Sequence, residues 1–130
     1  DRFTQGEQDA PFVVVQESIG DGIVINRSSE ALARTMGIPL VSPEVYAVEG
    51  LDMVGAPTEG TPASGLTQFR TSETPFNAHL ALLKPAVEEQ IFTYFASFLD
   101  GDESNDGNIT YNCSGPGGNC DFLAPTSETR

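Results

Sequence analysis

The fold class is indicated most directly by one segment, Phe12-Val-Val-Val-Gln-Glu-Ser-Ile-Gly-Asp21-Gly-Ile-Val-Ile-Asn26. Its first four residues are apolar and favour extended backbone, a run that is typical of a strand buried on both faces of a parallel sheet. Gly20 and Gly22 allow a sharp turn around Asp21, because glycine adopts conformations that other residues avoid. The segment therefore predicts a buried strand that ends in an acidic loop.

A short helix is predicted directly after this loop, over residues 29–36. Ser28 and Ser29 can cap its first turn, and Gly37 can end it. In open parallel sheets, binding and catalytic sites lie at the carboxyl ends of the strands. We therefore expect an α/β protein in which Asp21 stands at such an end.

The composition restricts the partners of this chain. It has 130 residues, enough for one domain, and a net charge of −13 with only six Lys and Arg residues. This argues against nucleic acid and anionic membranes, because recognition of phosphate needs clustered basic side chains. No apolar run approaches the roughly 20 residues of a membrane span, so no transmembrane segment is expected. Because Asp1 is not an initiator Met, we expect a mature, processed or excerpted piece of a longer protein.

The two cysteines, Cys113 and Cys120, are separated by the turn-rich spacer Ser-Gly-Pro-Gly-Gly-Asn. This spacing favours a small disulfide loop, and with it an oxidising compartment and a secreted, cell-surface or periplasmic location. Two free thiols are the alternative. A metal-binding pair is disfavoured because the sequence has no second cluster of Cys or His residues.

The rest of the chain predicts one further strand and one further helix. Residues 65–71 alternate apolar and polar side chains, which is typical of a strand near a sheet edge, whereas residues 40–65 are irregular apart from a short strand at 45–48. Residues 72–84 form a loop that holds the only histidine, His79. Pro85 begins a helix over residues 85–99, because proline suits the first turn of a helix.

The apolar residues of this last helix fall on one stripe, which we expect to pack on the sheet. They are Val87, Ile91, Phe92, Phe95, Phe98 and Leu99. The helix completes a main domain over residues 1–100, and residues 101–130 then form an acidic turn and a disulfide-looped tail.

The acidic turn carries a weak calcium motif. Asp102, Ser104 and Asp106 have the spacing of the first three side-chain ligands of a calcium loop, and Gly107 follows at the position of the invariant glycine. The glutamate expected at the twelfth position is replaced by Cys113, and the alternative is a solvated acidic turn.

Asp21 and His79 suggest a joint function. A carboxylate that accepts a hydrogen bond from a histidine ring fixes the tautomer, so that the second ring nitrogen can act as a general base towards a serine. Glu17 is a competing acid, but the glycines around Asp21 favour Asp21. Taken separately, a lone histidine is more often structural, and a Gly-Asp-Gly loop is more often only a turn.

Two segments carry a resemblance to a known family. The first, Gly20-Asp-Gly-Ile-Val-Ile-Asn26 followed by Ser29-Glu-Ala-Leu-Ala33, resembles the acid segment of α/β-hydrolases, except that Ile25 replaces the usual proline. The second, Phe76-Asn-Ala-His-Leu-Ala-Leu-Leu83 with the helix after it, is similar to the histidine loop and final helix of that fold. Within the family, the likeness is greatest to large bacterial extracellular lipases and esterases.

This resemblance implies the last strands and helices of the mostly parallel sheet of an α/β-hydrolase, with Asp21 as the triad acid and His79 as the general base. No Gly-x-Ser-x-Gly motif occurs in the 130 residues, so the nucleophile is expected on an upstream polypeptide. The expected substrate is an ester or a lipid. The alternative is a non-catalytic extracellular structural or assembly subunit, which calcium could stabilise.

Overall fold

The computed structural model describes residues 11–55, 64–102, 107, 109, 113 and 120–123. Within these residues the chain forms a small parallel sheet of four strands with three α-helices. The elements are, in chain order, β1 (Val14–Ser18), α1 (Asn26–Met36), β2 (Leu40–Val41), β3 (Met53–Val54), β4 (Gly65–Phe69), α2 (Pro75–His79), a 3₁₀ turn (Leu80–Leu83) and α3 (Pro85–Ser97). The prediction of an α/β architecture is confirmed at this level.

The strand order is β1-β4-β2-β3, and each neighbouring pair is parallel. β1 and β4 pair along their whole length, from Val14 opposite Gly65 to Ser18 opposite Phe69. This pairing brings the segments after the two strands to the same edge of the sheet. The loop that holds Asp21 and the segment that leads to His79 therefore start side by side.

The prediction that the second strand lies near a sheet edge is wrong. β4 lies between β1 and β2, and all five of its residues are buried. Its polar side chains are tolerated there because they are hydrogen bonded: Thr67 Oγ1 donates to Gln90 Oε1 at 3.0 Å, and Gln68 Nε2 donates to Glu17 Oε2 at 3.0 Å. The alternating pattern therefore reflects buried polar partners rather than exposure to solvent.

The edge position belongs instead to β1. It begins at Val14, later than the apolar run predicts, and its residues are mostly half-buried because only one side of the strand is paired among the described residues. Phe12 lies outside the strand and is 43% exposed. Both faces of β1 are nevertheless packed, since Val15 lies against the cluster that contains Ala33 of α1 and Val14 against the cluster that contains Tyr94 of α3. The expectation of a strand buried on both faces is therefore met in part, because the outer edge leaves its residues half-buried.

Helix α1 begins at Asn26, earlier than predicted, and neither Ser28 nor Ser29 caps it, because Ile25 occupies the N-cap position. Its end agrees with the prediction. Gly37 adopts the left-handed conformation with φ of 69°, and its N–H donates to the Arg34 carbonyl at 3.2 Å.

The predicted strand at residues 45–48 is not formed. Leu40–Val41 and Met53–Val54 supply the short strands of this region, and the N–H groups of Val45 and Tyr46 both donate to Gln68 Oε1. The Gln68 side chain of β4 therefore accepts the backbone N–H groups that a neighbouring strand would bind if residues 45–48 formed a strand.

Helix α3 has Pro85 at its start, as predicted, and ends at Ser97. The prediction that its apolar stripe packs on the sheet holds for Val87 but is wrong for most of the stripe: Phe92 is 66% and Phe95 59% exposed. The buried face is formed by Val87, Gln90, Tyr94 and Ser97. Gln90 accepts hydrogen bonds from Gln16 and Thr67, and these bonds compensate the burial of a polar side chain.

The predicted disulfide joins Cys113 to Cys120. Cys120 is fully buried with Phe69 and Val87, and the segment after it runs beside the end of β4, where Arg70 N–H donates to the Cys120 carbonyl at 3.0 Å. Cys120, one end of the disulfide, is therefore attached to the end of β4. None of the described helices has the length and apolar character needed to cross a bilayer.

Candidate functional site

Asp21 and His79 are in direct contact, although 58 residues separate them in the chain. Asp21 Oδ2 lies 2.9 Å from His79 Nδ1, within the range of a strong hydrogen bond. The Asp21 side chain is 8% exposed and the His79 side chain 35%, so the carboxylate is shielded while the ring is accessible. An ionised carboxylate only accepts hydrogen bonds, so Nδ1 carries the proton and Nε2 presents its lone pair.

The loop around Asp21 holds the carboxylate in place. Asp21 Oδ1 accepts hydrogen bonds from the N–H groups of Ile23, at 2.7 Å, and Val24, at 3.0 Å. Asn26 braces the base of the loop: its Oδ1 accepts from Gly20 N–H at 2.9 Å, and its Nδ2 donates to the Ser18 carbonyl at 2.7 Å. One carboxylate oxygen is therefore held by the loop, and the other is directed at the histidine.

These contacts also keep Asp21 ionised. Burial favours the neutral acid, but the hydrogen bonds from His79 and from the backbone of Ile23 and Val24 outweigh it, and the pKa of Asp21 lies below its usual value. The carboxylate is therefore charged at neutral pH, which favours the Nδ1–H tautomer of His79.

His79 stands at the end of a short helix rather than in the irregular loop that we predict for residues 72–84. Pro75 begins this helix, and two contacts attach it to the loop after β1. Gly22 N–H donates to the Pro75 carbonyl at 3.3 Å, and Ser18 Oγ donates to the Ala78 carbonyl at 2.6 Å. The residue next to His79 is thus held by the end of β1.

The pair lies in a cleft of about 300 Å³, whose wall also includes the apolar side chains of Val24, Phe69 and Leu82. Gln16 and Glu17 both line this cleft. Consecutive strand residues point to opposite faces of a sheet, so the cleft touches both faces of β1 near its carboxyl end. Within the described part of the chain, no other strand pairs with the outer edge of β1.

Glu17, the competing acid, does not contact His79. Its carboxyl group is buried on the opposite side of the strand from Gln16 and accepts a hydrogen bond from Gln68. The two acids therefore have different partners: Glu17 binds Gln68, and Asp21 faces the histidine.

The calcium prediction is not tested. Asp102 is described, and its N–H donates to Asp100 Oδ1 at 2.8 Å, but Ser104 and Asp106 lie outside the described residues. Among the residues that the structure describes, no three acidic, histidine or cysteine side chains form a group that could hold a metal ion.

Sequence reasoning missed two residues that build the site, Ser18 and Asn26. Ser18 binds the segment before His79, and Asn26 braces the loop before Asp21. Asn26 lies inside the glycine-rich segment quoted above. Its residue type could have indicated this role, because asparagine side chains commonly bond to nearby backbone groups in turns. Ser18 had no comparable signal, since its partner is 60 residues away.

Comparison with known proteins identifies no relative: no model of a protein family, no curated protein and no solved structure matches this chain.

Proposed function

We propose that this chain is the C-terminal portion of a secreted serine carboxylic-ester hydrolase of the α/β-hydrolase type, in which Asp21 is the triad acid and His79 the general base. The observation that carries the proposal is the 2.9 Å contact between Asp21 Oδ2 and His79 Nδ1 at the carboxyl edge of a parallel sheet. The chain order of acid before histidine is the order of this class. The disulfide supports secretion, because such bonds persist in oxidising compartments.

The chemistry follows from the orientation of the ring. With Nδ1–H donated to Asp21, Nε2 takes the proton of a serine hydroxyl as the serine oxygen attacks the ester carbonyl. The protonated ring returns that proton to the leaving alcohol, which leaves an acyl-enzyme. A water then repeats the sequence and releases the acid. Throughout, the Asp21 carboxylate stabilises the charged ring.

Apolar side chains around the cleft support an ester or lipid substrate. Ile23 and Val24 follow Asp21 and are about half exposed, at 58% and 49%, while Phe76 and Leu82 flank His79 and are 64% and 58% exposed. Of these four, Val24 and Leu82 line the cleft, and the Gly22–Pro75 hydrogen bond joins the two segments that carry them. An apolar rim of this kind favours the acyl chain of a substrate over a strongly charged group.

The serine must come from outside these 130 residues, which contain no Gly-x-Ser-x-Gly motif. Two observations support its entry beside β1. The outer edge of β1 is unpaired among the described residues, and Gln16, Glu17 and Ser18 of this strand line the cleft that holds Asp21 and His79. An unpaired strand offers backbone groups to a further parallel strand. We therefore place the upstream polypeptide that carries the nucleophile along β1.

The test uses the complete gene product that contains this chain, produced by a secreting host. We expect covalent labelling by a fluorophosphonate probe and hydrolysis of p-nitrophenyl butyrate. His79→Gln removes the general base and should lower kcat by about 10³-fold or more. Asp21→Asn leaves the ring without its carboxylate and should lower kcat by at least about 10²-fold.

Asp52→Asn is the matched control, because it removes an exposed carboxylate that does not line the cleft. It should leave labelling and hydrolysis unchanged. The proposal is overturned if the complete gene product is neither labelled nor active, or if His79→Gln hydrolyses the ester at the rate of the unmodified protein.

The absence of labelling would favour the second candidate, a non-catalytic extracellular structural or assembly subunit. The exposed aromatic face of α3 supports that candidate, because Phe92 and Phe95 present apolar surface that does not pack within the described chain. In that case Asp21 and His79 would serve only to join the two loops.

A further inference from the structure

Glu17 is a buried acid for which the proposed reaction has no use. Its side chain is 1% exposed, and one oxygen, Oε2, accepts a hydrogen bond from Gln68 Nε2 at 3.0 Å. The other oxygen, Oε1, is buried with no hydrogen-bond partner among the described residues. An unpaired buried oxygen is costly for a neutral acid and much more costly for a carboxylate.

Gln68 connects this acid to a segment that is distant in the chain. While its amide nitrogen donates to Glu17, its Oε1 accepts from the N–H groups of Val45, at 3.0 Å, and Tyr46, at 3.1 Å. Among the residues that the structure describes, no other hydrogen bond holds Val45 or Tyr46 to the sheet. A single amide therefore links the Glu17 carboxyl to the segment of Val45 and Tyr46.

The charged groups around Glu17 come from helix α1 and from this segment. On α1, Glu30 accepts a hydrogen bond from the Tyr46 hydroxyl at 2.8 Å, and Arg34 lies 3.8 Å from the Glu30 carboxylate. No cation among the described residues bonds to Glu17 itself. An ionised Glu17 would thus place a second negative charge near Glu30, with no hydrogen-bond donor at Oε1.

We infer that Glu17 and Gln68 form a proton-dependent latch, which holds the segment of Val45 and Tyr46 on the sheet while Glu17 is neutral and loosens it when Glu17 ionises. Ionisation creates a buried charge that only water can solvate, and water reaches Oε1 only if the covering groups separate. Repulsion between Glu17 and Glu30 acts in the same direction, because the Tyr46 hydroxyl binds Glu30.

The titration behaviour expected of Glu17 agrees with this geometry. Burial raises the pKa of Glu17 above its usual value; the Gln68 and Asn26 amides and Arg34 oppose the rise, and the Glu30 carboxylate adds to it. Because the pKa is raised in the folded state, the latch contributes its full stability below the unfolded value of 4.5. That stability is lost as the pH rises through the folded pKa.

The segment of Val45 and Tyr46 also lies near the start of the loop that holds Asp21. Val45 and Tyr46 border a second depression together with Gly20, the residue before Asp21. The inference goes beyond the proposed function and does not depend on it, because it concerns a proton equilibrium inside the folded chain.

The test is a carbon-detected NMR titration of the Glu17 carboxyl in the unmodified chain between pH 3 and 9, followed with the amide resonances of Val45 and Tyr46. We expect Glu17 to titrate above 4.5 and both amides to shift with the same midpoint. In Glu17→Gln, which keeps the oxygen that accepts from Gln68, these amide shifts should disappear. The free energy of unfolding of Glu17→Gln should also fall less than that of the unmodified chain between pH 5 and 8.

Glu49→Gln is the control, since Glu49 is exposed near the same segment, and its amide titrations should match those of the unmodified chain. A Glu17 midpoint at or below 4.5 overturns the inference, as do Val45 and Tyr46 shifts that persist in Glu17→Gln. If Glu17→Gln does not fold, the titration of the unmodified chain decides the question alone.

Discussion

At the scale of single residues, Asp21 is the most constrained side chain of the site. Its two oxygens have different partners, since Oδ1 accepts from the backbone of its own loop and Oδ2 faces His79. Because both sets of hydrogen bonds favour the charged form, Asp21 stabilises the fold only while it is ionised. The same contacts that orient the histidine therefore make the folded chain sensitive to acid.

Asp21→Asn should reduce this sensitivity. The pKa of Asp21 is lowered in the folded state, so its contribution is present above the unfolded value of 3.8 and is lost as the pH falls through the folded pKa. At pH 7 the substitution should cost about 1–2 kcal/mol of unfolding free energy, the loss of a charge-assisted hydrogen bond. Between pH 5 and 2.5 the variant should lose less stability than the unmodified chain.

Urea unfolding followed by circular dichroism at several pH values measures this difference. Asp52→Asn is the control, because it changes the net charge equally at an exposed position. Curves of stability against pH that run parallel for Asp21→Asn and the unmodified chain would contradict the prediction.

At the scale of elements, helix α3 shows that hydrogen bonding can outweigh hydropathy in choosing a buried face. Gln90 is fully buried, and its Oε1 accepts from Gln16 Nε2 at 2.9 Å and from Thr67 Oγ1 at 3.0 Å. Gln16 also donates to the Val87 carbonyl, which adds a second link between β1 and the helix. The helix therefore turns its polar contacts to the sheet and leaves Phe92 and Phe95 exposed.

Two substitutions on α3 distinguish the observed face from the apolar stripe. Gln90→Leu should lower the free energy of unfolding by about 2–3 kcal/mol, because it leaves buried donors on Gln16 and Thr67 with poorer partners. Phe92→Ala should cost less than about 0.5 kcal/mol, since Phe92 is 66% exposed. If the stripe packed on the sheet, the order of the two effects would be reversed in thermal or urea unfolding.

At the scale of the whole molecule, the segment that begins at Cys120, one end of the disulfide, is joined to the end of β4. Phe122 N–H donates to the Arg70 carbonyl at 3.0 Å, and Arg70 pairs with Asp121 at 3.2 Å, so the segment after Cys120 extends β4 by one bridge. The end of β4 is also where the chain turns towards His79. We therefore expect the disulfide to stabilise the fold where the residues after Cys120 pair with Arg70.

Replacing both Cys113 and Cys120 by serine should lower the free energy of unfolding by roughly 2–3 kcal/mol, the chain-entropy value for so short a loop. The measurement is urea unfolding of the double variant and of the unmodified chain with and without a reducing agent. Reduction should destabilise the unmodified chain by a similar amount and leave the double variant unchanged. Equal stability of all samples would show that the disulfide does not support the fold.

Local sequence signals were sufficient to predict several elements of this protein, the ends of two helices and the disulfide. They identified the strand, acidic loop and helix of the first unit, the end of α1 at Gly37, the start of α3 at Pro85 and the pairing of the two cysteines. They also singled out Asp21 and His79 as a pair. These features depend on neighbouring residues, on glycine and proline conformation and on chain order, all of which are read along the sequence.

The tertiary structure alone decided which strand is central and which face of α3 is buried, whereas Asp21, the acid that the sequence already favoured, does contact His79. Each depends on partners far apart in the chain: Glu17 and Gln68 are 51 residues apart, and Gln16 and Gln90 are 74. Burying a polar side chain costs free energy unless a hydrogen-bond partner compensates it. The hydropathy pattern of the sequence contains no information about a partner that is distant in the chain. The alternating pattern of β4 therefore predicted an edge strand, whereas hydrogen bonds to distant partners keep its polar residues Thr67 and Gln68 in the core.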